Sequence, residues 1–426
     1  MLEVTRIRND YDAVIAGLQK RNLSPEVLQL VDEVIAQDDR RKQVQAELDQ
    51  LLAQRNSLSK EIGQLMQGGR RDEAESMKQS VSAMKGSIEI MQDQLTAAKD
   101  RIEAILLTLP NVPQTIVPAG KHADDNEVFR DWAGPLPAAG DKPLPHWELG
   151  KKYNLFDFEL GVKITGSGFP LYRGKGARLQ RALIQFFLDQ AIAAGYEEII
   201  PPLLVNEDTA RATGQLPDKE GQMYHCTADN LYLIPTAEVP VTNIYRDAIL
   251  QESDFPIKLT GYTPCFRREA GSYGSDVKGL NRVHQFDKVE IVQFQHPDRS
   301  DEALMAMLDH VASLLDQLGL PYRILRLCGG DLGHTSSITY DFEVFSAAQQ
   351  KWLEVSSVSN FETYQTNRMR LRFRNGDGAT QLAHSLNGSA LALARVVAAL
   401  LEFYQTSDGI EMPSVLIPYT NFERIG

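Results

Sequence analysis

Apolar and long side chains recur in alternating steps of three and four along two stretches near the N-terminus. The first stretch runs from Arg41 to Leu65, and the second runs from Met77 to Leu109, after the glycine pair 68–69. Each stretch has the repeat of a helix with one apolar seam, and the two can bury their seams by folding back on each other. The pattern predicts an antiparallel helical hairpin over about residues 26–109, begun by Ser24-Pro25 as cap and first helical residue.

The composition changes at Pro110. Prolines recur at intervals from there to residue 145 and forbid long helices in that segment. We therefore predict one domain over residues 1–109 and a second over 110–426. Helical periodicity returns from Ala177 to Ala194, where Gly195 ends the helix.

The rest of the chain alternates short strands with helices. The predicted strands lie near 231–236, 258–269, 283–294, 322–328, 338–347 and 352–361. The predicted helices lie near 301–318 and 389–405. Several strands follow one another through turns, which favours an antiparallel sheet over a doubly wound parallel one. The predicted class is therefore α+β, with a two-helix coiled-coil arm and an antiparallel sheet flanked by helices.

The charge of the chain limits how it can bind nucleic acid. A formal net charge of −13 argues against binding through broad electrostatics. Local basic clusters remain, at Arg40-Arg41-Lys42 on the first helix and Arg70-Arg71 at the tip. A scaffold or dimerisation element is an alternative use of such a hairpin.

Other bulk features exclude whole classes of protein. Cys226, Cys265 and Cys328 lie far apart without CxxC pairing, which supports neither a disulfide framework nor a cysteine-built zinc site. The longest apolar run, 389–401, is interrupted by Arg395, so we predict no membrane span. The N-terminus lacks the apolar core of a signal peptide, and we expect a cytoplasmic protein.

Charged residues occupy strand positions between residues 262 and 294. Arg267 and Glu269 share one face of the first predicted strand, because alternate side chains point the same way. Glu290 shares a face with Val292 and Phe294, where a carboxylate is costly unless a cation lies opposite. The pattern predicts a site for a polyanion beside an ammonium group, and a structural ion-pair ladder is the alternative.

Three further stretches carry polar residues that could complete this site. IPTAEVP is predicted at a strand end, WLEVSSVSNF on a strand, and LNGSALALARVVAALLEFY at the start of a helix and along it. Their candidate residues are Thr236 and Glu238, then Glu354, Ser356 and Ser357, then Asn387, Ser389 and Arg395. Taken singly, each has an ordinary structural interpretation, such as a helix cap, an edge-strand charge or a surface arginine. No P-loop and no glycine-rich dinucleotide motif after a strand occurs, which argues against those routes to ATP.

In this order, the stretches resemble the seryl-tRNA synthetases. FRRE, a variable loop and RVHQF resemble the second signature motif of class II aminoacyl-tRNA synthetases, and GYEEIIPPLLV resembles the first. The segment GLNRVHQFDKVE is similar to the corresponding segment of seryl-tRNA synthetases in particular. The resemblance extends from the hairpin to the last helix, and implies a tRNA-binding domain over 1–109 and a class II catalytic domain over 110–426.

The resemblance implies an activity and its partners. Members of the family activate L-serine with ATP and Mg²⁺, and then transfer the seryl group to the 3′ end of tRNA(Ser). The same contacts would admit tRNA(Sec). The resemblance also implies a homodimer, with the first motif at its interface, and no zinc.

The resemblance further implies roles for single residues. Those implied for catalysis are Arg267, Glu354 and Arg395. Those implied to bind ATP are Arg267, Arg268, Glu269, Val283, Phe286, Glu354, Val355, Ser356, Ser357 and Arg395. Those implied to bind serine are Thr236, Ala237, Glu238, Arg267, Glu290, Asn387 and Ser389. The implied Mg²⁺ ligands are Glu354 and Ser357, and the implied tRNA contacts are Arg40, Arg41, Lys42, Arg70 and Arg71.

Some questions stay open at this level. The family assigns Glu290 to the serine hydroxyl, but the residues themselves do not decide which carboxylate takes the ammonium. The chain departs from the family pattern at Arg268, Tyr273, Ser275, Ala390, Ala392 and Ala394. The alternatives are another class II amino-acid adenylating enzyme and a non-catalytic coiled-coil or tRNA-binding protein. The intact hairpin argues against a homologue that loads a carrier protein, and the retained Arg267, Glu354 and Arg395 argue against a non-catalytic one.

Overall fold

The computed structural model describes residues 1–137, 143–218, 221–269 and 278–426. They divide into two compact units, one made of residues 1–19 and 23–110, the other of residues 20–22 and 111–426. Tyr273 and Ser275, where the sequence departs from the family pattern, lie outside the described residues.

The first unit is built on the predicted hairpin. Its helices are α1 (Val4–Asn9), α2 (Tyr11–Lys20), α3 (Pro25–Gln67) and α4 (Arg71–Thr108). Val44 and Leu48 of α3 are buried against Ile88 and Leu95 of α4, on the predicted seam. The hairpin prediction is confirmed, whereas α1 and α2 were not predicted.

Part of the basic cluster on α3 is already used within this unit. Asp38 is buried, and its carboxylate forms ion pairs with Arg8 at 2.7 Å, Arg41 at 2.8 Å and Lys42 at 2.9 Å. Burial acts to raise the pKa of Asp38, but the hydrogen bonds from these three cations outweigh it and lower the pKa to about 2. At the tip, Arg70 forms an ion pair with Glu73. These contacts offset much of the positive charge of both clusters.

A mixed array of strands and helices makes up the second unit. Its strands are β1 (Glu127–Arg130), β2 (Phe156–Asp157), β3 (Leu171–Tyr172), β4 (Glu197–Glu198), β5 (Leu204–Val205), β6 (His225–Cys226), β7 (Leu231–Leu233), β8 (Ile249–Gln251), β9 (Ile257–Phe266), β10 (Gln285–Gln295), β11 (Tyr322–Arg326), β12 (Ile338–Ser346), β13 (Lys351–Glu362), β14 (Arg372–Arg374), β15 (Thr380–Leu382), β16 (His384–Ala392), β17 (Ile410–Glu411) and β18 (Arg424–Ile425). Its helices are α5 (His146–Lys152), α6 (Phe158–Ile164), α7 (Gly174–Ala193), α8 (Glu207–Thr213), α9 (Glu238–Thr242), α10 (Ser300–Leu318), α11 (Tyr364–Met369), α12 (Leu393–Phe403) and α13 (Ile417–Thr420).

One eight-stranded sheet organises this unit, in the order β1-β11-β12-β13-β16-β10-β9-β4. All neighbours are antiparallel except the short edge strand β4, which runs parallel to β9. The predicted antiparallel sheet is therefore confirmed. Apolar residues of α7, α10 and α12 form one core with the sheet, including Phe186, Leu308 and Val397. Gly195 follows α7 with a φ of +84°, a conformation that favours glycine.

The prediction of a helix from residue 389 is wrong. Residues 384–392 form β16, which lies between β13 and β10, and α12 begins only at Leu393. The residues from Ser385 to Leu391 are all buried, and the alternation of Ser385, Asn387 and Ser389 with small or apolar residues is short and passes directly into the apolar run of α12. Periodicity alone does not distinguish such a buried run from a helix. Asn387 and Ser389 therefore lie on a central strand and not at a helix start.

Two other strand predictions extend too far. β9 ends at Phe266, so Arg267 and Glu269 lie beyond the strand, and Glu269 has a left-handed φ of +49°. β7 ends at Leu233, which leaves Thr236 in a loop and puts Glu238 at the first position of α9. Within the described ranges, no helix is both long and apolar enough to cross a membrane.

Candidate active site

A cavity of about 760 Å³ opens on one face of the eight-stranded sheet. Its walls come from the loop before α9, from β10, β12, β13 and β16, and from the start of α12. It brings together most of the residues predicted from the sequence, namely Thr236, Glu238, Arg267, Glu269, Val283, Phe286, Glu290, Glu354, Val355, Ser356, Ser357, Asn387, Ser389 and Arg395. Two predicted residues, Ala237 and Arg268, do not line it.

A buried ion pair forms one end of the cavity. The Nζ of Lys288 lies 2.5 Å from Oε2 of Glu290, and the hydroxyl of Thr236 donates to the same oxygen at 3.0 Å. Glu290 is 2% exposed and Lys288 is 6% exposed. The cation that the sequence required beside Glu290 is therefore Lys288, which sequence reasoning missed. Its position two residues before Glu290, on the same face of the strand, was the available signal.

A second buried carboxylate, Glu238, lies at the same end without a cationic partner. The side-chain amide of Gln365 donates to its Oε1 at 2.6 Å. Burial raises the pKa of Glu238 to about 7, the charge of Glu290 acts in the same direction, and the contacts with Gln365, Lys288 and Asn387 oppose the rise. Among the described residues, no lysine, arginine or histidine forms an ion pair with Glu238. A ligand that carries an ammonium group would supply the missing charge.

Two arginines line the other part of the cavity. The guanidinium carbon of Arg267 lies 5.2 Å from the ring centroid of Phe286, and its Nε donates to the carbonyl of Pro235 at 3.3 Å. Arg395 projects from the first turn of α12 and donates to the carbonyl of Asn281 at 2.9 Å and to that of Glu354 at 2.6 Å. Both side chains are only partly buried. The Nη1 of Arg395 also lies 3.5 Å from Oε2 of Glu354, whereas Arg267 contacts a neutral carbonyl and an aromatic ring. Both guanidinium groups line the cavity, within reach of an anionic ligand.

Acidic residues of β12 and β13 lie beside Arg395. The hydroxyl of Ser357 donates to Glu354 at 3.4 Å, and Asp341 is the register partner of Ser357 on the neighbouring strand. Burial, together with the charge of Glu354, raises the pKa of Asp341 well above its ordinary value. Among the described residues, no group of three or more histidine, cysteine or acidic side chains could hold a metal ion. A Mg²⁺ ion here would complete its shell with phosphate oxygens and water, which suits its coordination preference.

Comparison with known proteins identifies the family. Residues 1–113 match the family described as the seryl-tRNA synthetase N-terminal domain. Residues 224–404 match the tRNA synthetase class II core domain (G, H, P, S and T). The serine–tRNA ligase of Salinibacter ruber is 50% identical over 429 residues, which cover 100% of this chain and 99% of the relative. The chain belongs to the seryl-tRNA synthetase family.

Solved structures agree with this membership in the seryl-tRNA synthetase family. The seryl-tRNA synthetase of Pyrococcus horikoshii, complexed with ATP, superposes with a TM-score of 0.91 at 32% identity and covers 100% of this chain and 99% of its own. The prolyl-tRNA synthetase of Giardia lamblia, at 16% identity and a TM-score of 0.56 over 64% of this chain, shares the fold alone. The serine–tRNA ligase of Chlorobaculum parvum is 45% identical over 100% of both chains.

The departures from the seryl-tRNA synthetase pattern have definite places in this structure. Arg268 is exposed, and its guanidinium carbon lies 5.9 Å from the ring centroid of Tyr224, outside the cavity wall. Ala392 and Ala394 line the cavity, whereas Ala390 is fully buried. The methyl groups of Ala392 and Ala394 are therefore the departures that a bound ligand would meet.

Proposed function

We propose that the protein is a serine–tRNA ligase that activates L-serine with ATP and transfers the seryl group to tRNA(Ser). Family membership supports the reaction, and one observation in the cavity supports the substrate. Two buried carboxylates, Glu238 and Glu290, lie at one end of the cavity, where Lys288 pairs with Glu290, and the accessible Arg267 lines the same cavity. Serine offers an ammonium, a hydroxyl and a carboxylate, which match Glu238, Glu290 and Arg267 in turn.

Glu238 takes the serine ammonium in this proposal, and Glu290 takes the hydroxyl. The Oε2 of Glu290 is already engaged by Thr236 and Lys288, whereas Glu238 is held by the neutral amides of Gln365 and Asn387. An ammonium is therefore better placed at Glu238, and a weaker neutral donor is enough for Glu290. Asn387 and Ser389 line the same end from β16, and buried Ala237 belongs to the wall behind it.

ATP occupies the arginine-lined part of the cavity in this proposal. Arg267 holds the α-phosphate and the serine carboxylate, and Arg395 holds the γ-phosphate. Phe286 provides a face for adenine, with Glu269 near that end. In-line displacement at phosphorus depends on alignment and charge neutralisation, which these cations supply without a strong base. Val283, Val355 and Ser356 form the surrounding walls.

Glu354 and Ser357 would hold Mg²⁺ together with the phosphates. Their oxygens are hard ligands of the kind that Mg²⁺ prefers, and they adjoin Arg395. The ion would neutralise phosphate charge when it is bound. Arg268 lies outside the cavity wall, so we assign it no direct contact with ATP.

We infer that the enzyme works as a homodimer in the cytoplasm. Large apolar side chains are exposed in the first motif and at the end of the helix before it, with Ile200 at 89%, Ile192 at 45% and Leu204 at 41% exposure. A second copy that covers these residues through a two-fold interface would remove them from water. Light scattering that shows an active monomer at nanomolar concentration would contradict the dimer.

The hairpin of the first unit is proposed to bind tRNA(Ser), and tRNA(Sec) where the organism has one. Arg40 and Arg71 are exposed, whereas Arg41, Lys42 and Arg70 are engaged in ion pairs within the unit. A ligand phosphate would have to compete with Asp38 and Glu73 for these three. We therefore propose that Arg40 and Arg71 are the stronger tRNA contacts among these five basic residues. We also propose that the enzyme does not use zinc.

Pyrophosphate exchange without tRNA tests the substrate assignment. Serine should drive the exchange, and the kcat/KM for alanine should be lower by about 10⁴-fold or more, because alanine leaves the Glu290 acceptor unpaired. The same amount of the same protein preparation would be used in the assay with each amino acid. A comparable kcat/KM for alanine would refute the proposal.

A further inference from the structure

A buried histidine and glutamate lie behind the cavity, and the proposed reaction does not use them. His146 is the first residue of α5, and Glu402 lies near the end of α12. The side chains are 0% and 1% exposed, and His146 Nδ1 lies 2.8 Å from Glu402 Oε1. A buried pair of this kind costs free energy unless each polar atom is satisfied, so its hydrogen bonds define its role.

The contacts fix the state of the histidine ring. The backbone N–H of Leu280 donates to His146 Nε2 at 2.9 Å, so this nitrogen is an acceptor and carries no proton. The ring is then neutral, with its proton on Nδ1, and that N–H donates to Glu402. His146 thus links a carboxylate on α12 to a single backbone amide at residue 280.

Glu402 anchors this link to the rest of the unit. Its Oε1 also accepts from the backbone N–H of His146 at 3.0 Å. Its Oε2 accepts from the hydroxyl of Ser346 and from the N–H of Ala348 at 3.3 Å, both at the turn between β12 and β13. Burial acts to raise the pKa of Glu402, but the hydrogen bonds from His146 and Ser346 outweigh it and lower the pKa. The carboxylate is therefore a fixed acceptor and not a titrating group.

The same helix holds the neighbouring peptide directly. Arg395 precedes Glu402 by seven residues, or about two helical turns, so both side chains leave the same face of α12. Arg395 Nε donates to the carbonyl of Asn281, the residue after Leu280. Residues 280–283 line the cavity next to Arg395. The backbone at residues 280–281 is therefore held by α12 at two points: the Asn281 carbonyl directly by Arg395, and the Leu280 N–H through His146 by Glu402.

We propose that His146 and Glu402 are a positioning pair that fixes the backbone at residues 280–281, and through it the guanidinium of Arg395, for the phosphates of ATP. This inference rests on the proposed function. The pair touches no reacting atom. If the backbone at residues 280–281 moved, the Asn281 carbonyl would no longer direct Arg395 toward the cavity. The expected deficit is therefore in ATP binding and not in serine binding.

Two substitutions of His146 test its two side-chain hydrogen bonds, to Glu402 and from Leu280, separately. His146→Asn keeps a donor near the Nδ1 position and loses the acceptor for Leu280. His146→Gln can place its carbonyl oxygen near the Nε2 position and keep that acceptor. We expect H146N to raise the KM for ATP by about tenfold in pyrophosphate exchange, which corresponds to one lost hydrogen bond. The KM for serine should stay within about twofold, and H146Q should recover most of the ATP KM.

The matched control is Tyr404→Phe. Tyr404 follows α12, and its hydroxyl donates to the carbonyl of Leu318 at 2.7 Å, away from residues 280–281. Y404F removes one hydrogen bond at the end of the same helix, and it should leave the KM for ATP unchanged within about twofold. Urea unfolding would measure the stability of every variant.

A second variant keeps the proposal testable if H146N does not fold. Asn281→Ala removes the side-chain contact with Gln349, at 2.9 Å, and loosens the same backbone without touching the buried pair. It should raise the KM for ATP by about threefold and leave the KM for serine unchanged, since one partly buried contact between neutral amides is weaker than the buried link. Equal rises in both KM values, or an unchanged ATP KM in H146N and N281A, would overturn the positioning role.

Failure of the proposed function would be visible separately. If the wild-type protein catalysed no serine-dependent exchange, the ligase assignment would fall. The pair would then be judged by calorimetric ATP binding to the wild type, H146N and Y404F. Weaker ATP binding in H146N alone would support the positioning role, and equal binding in all three would refute it.

Discussion

The KM for serine should depend strongly on pH, because the proposed ammonium site is a carboxylate that titrates near neutrality. Glu238 is buried without a cationic partner, and its pKa is raised to about 7 by burial and by Glu290. An ammonium binds well only to the ionised form. The charged groups that act on it are Glu290, which raises its pKa, and Lys288, which opposes the rise, and the neutral amides of Gln365 and Asn387 also oppose it.

The size of the effect follows from the pKa. With a pKa of about 7, roughly one Glu238 in eleven is ionised at pH 6 and about ten in eleven at pH 8. A ligand that needs the ionised form has its apparent affinity reduced by that fraction. The KM for serine should therefore fall about tenfold between pH 6 and pH 8, and most of the fall should occur below pH 7.

Pyrophosphate exchange at saturating ATP, measured from pH 6 to pH 8, gives the profile. Glu238→Gln is the matched control, since it keeps the shape and removes the titrating group. The E238Q variant should have a higher KM for serine that no longer depends on pH in this range. A flat wild-type profile, or a full tenfold fall that persists in E238Q, would refute the assignment of the ammonium to Glu238.

The same pKa predicts the stability of the free enzyme. The pKa is raised in the folded state, so Glu238 contributes stability below its ordinary pKa of 4.5, and this contribution is lost as the pH rises through about 7. The difference corresponds to about 3 kcal/mol, as an order of magnitude. E238Q should therefore be more stable than the wild type at pH 8 in urea unfolding without ligand. Serine should reduce that difference, because its ammonium offsets the buried charge.

Three further predictions concern single contacts and the arm. Gln365→Leu removes the donor to Glu238 and should move the midpoint of the serine profile upward by about one pH unit, as measured by the same exchange assay. Asp38→Asn should destabilise the first unit by about 2 kcal/mol at pH 7, as measured by urea unfolding followed by circular dichroism. The stabilisation by the Asp38 carboxylate is present above its ordinary pKa of 3.8 and is lost as the pH falls through about 2. Deleting residues 35–100 with a glycine linker should keep exchange within about tenfold, or 1.4 kcal/mol, while transfer to tRNA falls much further; loss of exchange in a folded dimer would refute this division.

The sequence predicts best where one physical signal dominates. The hairpin could be predicted because its seams repeat over many turns, and buried Val44 and Ile88 lie on them. β16 was missed, because its residues from Ser385 to Leu391 are buried on both faces and its short polar alternation passes directly into the apolar run of α12. The positions of Asn387 and Ser389 were therefore assigned to the wrong kind of element, although both residues do line the cavity.

Side-chain partners are harder to predict than elements. Glu290 was identified from its place on an apolar face, but its partner was expected across the sheet and lies instead on the same strand, at Lys288. The role of Gln365 had no signal in the sequence, because α11 approaches Glu238 only in the folded chain. The same holds for His146 and Glu402, which are 256 residues apart and meet behind the cavity.

The distribution of charge explains how affinity and specificity could be separated in this cavity. Glu238, Glu290 and Lys288 together carry one net negative charge, which the ammonium of an amino acid would balance while its carboxylate faces Arg267. Alanine would balance these charges as well as serine does, so in this proposal Glu238 and Arg267 provide affinity without discrimination. The remaining lone pairs of Glu290 need a neutral donor, and only a side-chain hydroxyl supplies it. In this proposal Lys288 also has a role, because its ion pair with Glu290 prevents that carboxylate from competing with Glu238 for the ammonium.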